Sequence, residues 1–231
     1  MSKLLVEERQ IVVPGQELAE GMDYLPGEDV FRDGDKLFAM KLGLFNLSGR
    51  LVKVTALCGS YLPNGGDLVI GKVVSVGLNG WRVDIGWAFE ANLNLKDASS
   101  DYIDRGADLT KYFDTGEYIL TQITNVSGSK IVDLTMKGPG LRKLGPGRIF
   151  KVGSSKVPRI IGKQGSMISM IKETTNCKIS VGQNGFIWLI GDNLPDEILA
   201  VNAIRKVEEE SHIQGLTEKI KEYLESNKNG K

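Results

Sequence analysis

Up to about residue 136 the apolar residues of this chain recur mainly at every second position, in short runs, and beyond that point runs at helical spacing alternate with such strands. A change of period of this kind rules out a single helical bundle or one continuous sheet. It demands a multidomain chain with a β-rich N-terminal half and an α+β second half. The first runs, RQIVVPG, KLFAMKLGLFNLS and GRLVKVTALCG, are cut by Pro-Gly and Gly-Asp turn signals and predict a small β domain over residues 1–62. A unit of that size buries too little surface to be very stable by itself and is expected to lean on something else. Its turn acids Glu28, Asp29, Asp33 and Asp35 read as solvated loop residues rather than as metal ligands.

A second β domain is expected over 65–137. Val69, Gly71 and Val73, then Val83 and Ile85, alternate as strands do, and Asn79-Gly80 is a favoured two-residue hairpin turn. After the polar stretch DASSDYIDRGADLTKYFDTG, strands resume as EYILTQITNV and KIVDLTM. Five strands with one insertion before the fourth suit a small Greek-key barrel of the oligonucleotide-binding kind. Trp81, Trp87 and Phe89 are candidates for stacking bases on its open face, with core or subunit contact as the alternative. So few aromatics leave Lys72, Arg82 and Lys130 to act mainly as electrostatic guides. The stretch KGPGLRKLGPGR reads as a stiff basic linker over 138–147, and Arg142, Lys143 and Arg148 join the barrel's candidates for nucleic-acid contact.

From IFKVG onward the order is β-α-α-β-β-α, with VPRII and SMISMIKETT as helices around Gly162-Lys163-Gln164-Gly165. Ser166 is placed to cap the second helix, and Met167, Ile168, Met170 and Ile171 give it an apolar face. Pro195 suits the first turn of the last helix, whose apolar positions are Ile198, Ala200, Val201, Ile204 and Val207. A nucleotide P-loop is excluded here because Val157 stands where its first glycine belongs. At Gly66–Lys72 the near match ends in Val73 where a magnesium-binding hydroxyl is needed. In the β-α-α-β-β-α setting a G-x-x-G loop between helices is instead the mark of a type I KH domain, expected over 148–211, which clamps about four backbone nucleotides. Lys156, Arg159, Gly162, Lys163, Gln164 and Gly165 are the candidate RNA-binding residues, with Ile160 and Ile161 as base-side groove or as plain core. Residues 212–231 read as a charged amphipathic tail with a frayed end.

Charge supports the same assignment. Lys137–Lys178 holds ten bases and one acid, a net +9, while residues 1–136 hold 13 bases and 19 acids and residues 179–231 hold 6 and 9. A neutral chain polarised in this way presents one polyanion-binding segment, and its acidic remainder is free to meet another partner. Cys58 and Cys177 lack metal or redox spacing and read as buried free thiols. The single histidine, His212, follows three glutamates and is a poor catalytic base. No apolar run reaches the roughly 20 residues of a membrane span, and MSKLLVEERQ lacks the core of a secretory signal, so a cytoplasmic location is expected.

Across nearly its whole length the chain resembles the RNA-binding cap subunits of the exosome that carry an S1 domain and a KH domain, in their archaeal form. The resemblance is carried by GDLVIGKVVSVGLNGWRVDIG, by VPRIIGKQGSMISMIKETTNCKISVGQNGFIWLIG, and by the order of β unit, barrel and KH domain. The turn Gly182-Gln183-Asn184-Gly185 matches a glycine-asparagine-glycine turn of that family, although a hairpin turn explains it as well. The resemblance implies a non-catalytic subunit without metal or cofactor. Three copies, alone or mixed with other cap proteins, would sit on a six-membered ring of ribonuclease PH-like proteins, with the N-terminal domains on the ring and the barrels round its pore. They would capture single-stranded RNA, A-rich tails above all, and pass its 3′ end to the ring for 3′–5′ degradation. The KH loop is expected to touch RNA, the alternative being that the domain packs on the barrel and uses its loop structurally. Two other functions stand as rivals. One is an S1/KH transcription elongation or antitermination factor, which usually has a second KH copy. The other is a nuclease, motivated only by acidic pairs such as Asp33 and Asp35.

Overall fold

The computed structural model describes residues 3–101, 103–104, 106–211 and 215–228, and it divides into one unit ending at Ser60 and another beginning at Tyr61. In the first unit the strands are, in chain order, β1 (Lys3–Leu4), β2 (Ile11–Val12), β3 (Glu17–Glu20), β4 (Leu25–Pro26), β5 (Val30–Asp33), β6 (Lys36–Ala39), β7 (Gly43–Ser48) and β8 (Leu51–Ala56). They form two four-stranded sheets, β1-β3-β6-β5 and β2-β7-β8-β4. Inward residues of both, among them Leu18, Leu37, Phe45, Val52 and Val54, share one core. Alternation in β7 and β8 is what allows this, since every second side chain faces the same side. The acidic turns do structural work: Gly34-Asp35 links β5 to β6 with Gly34 at φ +59°, and Asp29 pairs with Lys41 at 2.8 Å.

The second unit opens with a barrel made of β9 (Leu68–Val76), β10 (Gly80–Asp84), β11 (Ala91–Asn94), β12 (Tyr118–Val126) and β13 (Val132–Thr135). The order β13-β11-β10-β9-β12 closes because β13 also pairs with β12. Trp81 lies in its core, 2 % exposed. Its indole N–H donates to the Phe113 carbonyl at 2.8 Å, and its ring meets Phe113 edge-on at 5.3 Å. Of the two roles open to Trp81, base stacking or core, the structure has the core one. The polar insertion explains it: a short helix α1 (Leu95–Ala98) and the segment through Leu109 and Phe113 fold under the barrel and close one end. The hairpin between β9 and β10 turns at Leu78-Asn79, one residue earlier than expected, with the Gly77 N–H donating to the Gly80 carbonyl at 2.8 Å.

The expected linker does not stay a linker. Arg142–Leu144 pair with Leu120–Tyr118 as a sixth strand, β14, which extends the sheet beside β12. The KH sheet follows as β15 (Arg148–Lys151), β16 (Lys178–Val181) and β17 (Phe186–Ile190), in the order β15-β17-β16. Packed on one face are α2 (Val157–Ile161), α3 (Ser166–Thr175), α4 (Leu194–Glu209) and α5 (Leu216–Lys228). The C-terminal segment is amphipathic as expected: within α5 Leu216, Ile220 and Leu224 are buried against α3 and α4. In α4 the buried face is Ala200, Ala203, Ile204 and Val207, while Ile198 stays exposed. Cys177 is buried as expected, but Cys58 is exposed. His212 lies outside the described residues.

Candidate nucleic-acid interface

The barrel and the KH domain are locked together through the turn Gly182-Gln183-Asn184-Gly185. The Gln183 N–H donates to the Leu68 carbonyl at 2.7 Å, and the Leu68 N–H returns a bond to Gln183 Oε1 at 2.6 Å. Asn184 is 1 % exposed. Its Nδ2 donates to the carbonyls of Ile70 and Ile85 at 2.7 and 2.8 Å, and its Oδ1 accepts from the Ile70 N–H at 3.3 Å. Both amide hydrogens and the amide oxygen are used, so a buried polar side chain is fully satisfied. Around it Ile70, Leu120, Leu144 and Trp188 form a small apolar cluster at the seam. Burying side chains of this size contributes about 1.5–3 kcal/mol each relative to exposure. Sequence reasoning missed this lock, although the near-continuous apolar runs LVIG and FIWLI signal strands covered on both faces.

With the KH domain docked by that turn, the other glycine loop remains at the surface. Gly162 has φ +75° and a side chain there would sit 2.8 Å from the Met167 nitrogen, so only glycine fits. At Gly165, φ +80°, a side chain would meet only Ser169 Oγ, at 4.0 Å, an ordinary contact. The lack of a Cβ there leaves that space clear for a ligand. Gln164 also adopts a left-handed conformation, φ +51°. Lys163 and Gln164 are exposed, and among the described residues neither side chain has a hydrogen bond or ion pair. Ser166 does not cap α3: Gly165 occupies the N-cap position without a side-chain bond, and Ser166 is the first helical residue. The first amide groups of α3 thus lack a side-chain acceptor, an arrangement suited to an anion. Of the two isoleucines, Ile160 is fully buried core and Ile161 is half-buried. Lys156 is half-buried and Arg159 exposed beside them.

The remaining basic candidates divide. Lys143 pairs with Glu117 at 2.6 Å, and the hydrogen bond from that lysine holds the Glu117 carboxyl below its usual range. Arg148 pairs with Glu197 at 2.8 Å, and Glu197 is lowered first by the Gly191 N–H and then by this arginine. Arg142 reaches the KH sheet, where it donates to Ser180 Oγ at 3.3 Å and lies 5.9 Å from the Trp188 ring centre. The three bases expected together on a linker thus have separate structural partners. Lys72, Arg82 and Lys130 are exposed on the barrel, Lys130 in a turn at φ +66°. Trp87 and Phe89 meet edge-on at 5.3 Å; Trp87 is half-buried and Phe89 is 58 % exposed.

Beside Arg82 the barrel carries an open cleft that the sequence did not reveal. One part, about 800 Å³, is lined by Asn79, Asn94, Lys96, Ser100, Asp101 and Lys137. A contiguous part of about 440 Å³ shares Asn79 and Asn94 and adds Arg82 and Asn92. Its amides and cations come from the hairpin turn, β10, β11, α1 and the segment just after β13, brought together by barrel closure. Among the described residues no group of three or more His, Cys, Asp or Glu could hold a metal ion, and no helix is long and apolar enough to cross a membrane.

Comparison with known proteins agrees in both domains. Residues 148–209 match the family model of the KH domain, and residues 60–105 match that described as the S1 domain of RRP4. The chain is 42% identical over 227 residues to the exosome complex component Rrp4 of Pyrococcus furiosus, covering 97% of this chain and 86% of that one. It is 44% identical to the Rrp4 component of Thermococcus kodakarensis, covering 97% and 88%, and 41% identical to that of Methanothermus fervidus, covering 96% and 97%. A solved structure of an exosome complex RNA-binding protein superposes with a TM-score of 0.66 at 34% identity, covering 74% of this chain and 98% of that one. With a β domain, a closed S1 barrel and a KH domain in this order, and with this identity along almost all of its length, the chain belongs to the Rrp4 family of exosome components.

Proposed function

We infer that this protein is an RNA-binding cap subunit of an exosome, and that it holds RNA rather than cutting it. The carrying observation is the exposed Gly162–Gly165 loop, whose lysine and glutamine are unpartnered among the described residues and stand at an uncapped helix N-terminus. Phosphate backbone fits there because glycine permits close approach and the helix end favours negative charge. The exposed barrel cations Lys72, Arg82 and Lys130, with Lys96 and Lys137 in the cleft, would guide the same strand. The finer parts of the reading rest on the family resemblance. They are three copies per complex on a ribonuclease PH-like ring, docking by the N-terminal unit, preference for A-rich tails, delivery of the 3′ end for degradation by the ring, and a cytoplasmic setting.

The test replaces Lys163 and Gln164 together by Asp. Like charge then faces the phosphate, and affinity for single-stranded RNA should fall about tenfold or more at low salt, with melting unchanged. RNA binding by the assembled complex that is indifferent to the double replacement would remove the loop from the interface. Purified protein incubated with labelled RNA, magnesium and phosphate should leave the RNA intact, and cleavage that co-purifies with the monomer would overturn the non-catalytic reading.

A further inference from the structure

Of the three tryptophans, Trp81 and Trp188 donate their indole N–H to carbonyls, of Phe113 at 2.8 Å and of Gly145 at 3.1 Å. Trp87 alone has no hydrogen bond among the described residues, and it meets Phe89 edge-on in the loop between β10 and β11. From Gly80 to Lys111, Phe89 is the one large apolar side chain exposed among the described residues. The stem of that loop is fixed against the KH sheet. Asp84 Oδ1 accepts the Gly86 N–H at 2.7 Å, Gly86 turns at φ +74°, and a side chain there would come within 2.7 Å of the Phe186 ring on β17. The Asn184 lock acts at the same point, since one of its bonds is to the carbonyl of Ile85, the residue before Gly86. Lys151, on β15 directly opposite Phe186, completes the arrangement. Its Nζ is 3.6 Å from where a Cβ of Gly86 would stand and 5.3 Å from the Phe186 ring centre. Lys151 is exposed, and among the described residues no carboxylate pairs with it.

A single exposed ring is too small for a protein interface, which buries about 800 Å² on each side, and it is large enough to stack one base. The charges on the loop itself, Asp84 and Glu90, are negative, so it suits the uncharged face of a base and not a phosphate. The phosphate finds its cation across the seam, at Lys151, and the unpaired indole N–H of Trp87 is a donor for an oxygen of the base or ribose. We propose that Phe89 and Trp87 hold one base of single-stranded RNA while Lys151 holds the adjoining phosphate, at a site that barrel and KH domain share. This rests on the RNA-binding reading above and adds a grip on a base to a grip on the backbone. Because Gly86 bears on Phe186 and Asn184 holds Ile85, the lysine and the aromatic pair keep their spacing only in the docked arrangement.

Titration of the full-length protein with a single-stranded oligoribonucleotide over a range of salt concentrations tests it, using Phe89→Ala, Phe89→Tyr and Lys151→Gln. Phe89→Ala should weaken binding about tenfold, the scale of one lost base stack, with the slope of log affinity against log salt unaltered. Phe89→Tyr should bind like the parent, because it keeps the ring. Lys151→Gln should instead reduce that slope by about 0.7, the value for one phosphate contact on a single strand. Melting of Phe89→Ala should match the parent, since the ring it removes is exposed, and this separates a lost stack from lost folding. An oligomer whose ribose-phosphate chain carries no bases should bind the parent and Phe89→Ala alike. Unchanged affinity in Phe89→Ala, alongside weakened binding in the Lys163 and Gln164 double replacement, overturns the shared site while leaving the function standing. Phe89→Ala that binds RNA normally but loses other proteins of the complex assigns the aromatic pair to a protein contact and also overturns it. Intact RNA binding in Phe89→Ala, Lys151→Gln and the loop variant together overturns the RNA-binding reading itself.

Discussion

The KH domain contains two four-residue loops of the same form, Gly162-Lys163-Gln164-Gly165 and Gly182-Gln183-Asn184-Gly185, and they are put to opposite uses. In the first the two central side chains are exposed and unpartnered among the described residues. In the second they make five hydrogen bonds to the barrel, counting the Gln183 backbone. The glycines differ in the same sense. A side chain at Gly165 would meet only Ser169 Oγ at ordinary contact distance, whereas one at Gly185 would collide with the carbonyl oxygen of Val152. Spacing of glycines therefore says that a backbone comes close to something, and the surroundings decide whether that is a ligand or the rest of the protein.

The largest break in this comparison should come from Asn184→Ala. It leaves the carbonyls of Ile70 and Ile85 without the side-chain donor they share, in a buried seam. At about 1–3 kcal/mol for an unsatisfied buried group, a loss of about 2–4 kcal/mol is expected. Thermal unfolding measures it, and hydrogen exchange at Ile70 should rise with it. A variant that melts like the parent would mean the seam does not need its asparagine.

Next come the outer glycines. Gly185→Ala should cost about 2–3 kcal/mol, combining an unfavourable left-handed backbone with a collision against fixed backbone, while Gly165→Ala should cost only about 1 kcal/mol, the backbone term alone. RNA titrations should reverse that order, since Gly165→Ala intrudes on the ligand's space. Equal stability losses would erase the distinction between the loops. The double Asp replacement at Lys163 and Gln164 follows at about 1.4 kcal/mol in binding, the equivalent of tenfold, with none in folding.

The smallest effect concerns why Lys163 is left for a ligand while Lys143 and Arg148 are not. Glu117 is lowered by its bond from Lys143, and Glu197 by the Gly191 N–H and Arg148. A carboxyl lowered by folding takes up protons sooner when unfolded, so the stability it contributes is complete above the ordinary range, about pH 4.3, and fades as pH falls through the folded value. Melting should therefore drop slightly on acidification, and Glu117→Gln should flatten part of that drop. Both pairs are solvent-screened, which keeps the effect small.

Much of the architecture was legible in local pattern. Alternation along much of β7 and β8 and throughout β10 marked half-buried strands, and GKQG between two apolar helices marked the KH loop, because period and glycine placement are local properties. What misled was also local. KGPGLRKLGPGR has the composition of a linker, yet β12 has a free edge that Arg142–Leu144 can fill. For Trp81 local pattern left base platform and core equally open, and the insertion that folds beneath it decides for core by supplying a carbonyl for its indole. The amphipathic pattern of the C-terminal segment was legible, but what covers its buried Leu216, Ile220 and Leu224 was not, because α3 and α4 supply it.

By itself, then, the sequence determined the kind and order of the domains and the chemistry available in the +9 segment, since both follow from residue type and spacing along the chain. Tertiary structure decided which of those groups are free. Lys143 and Arg148 found acids, Arg142 crossed to the KH sheet, Asn184 went into the seam, and Lys163 was left in water. The physical reason is that neutralisation and burial depend on neighbours distant in the chain: Asn184 and Ile70 lie 114 positions apart, and no local window contains both.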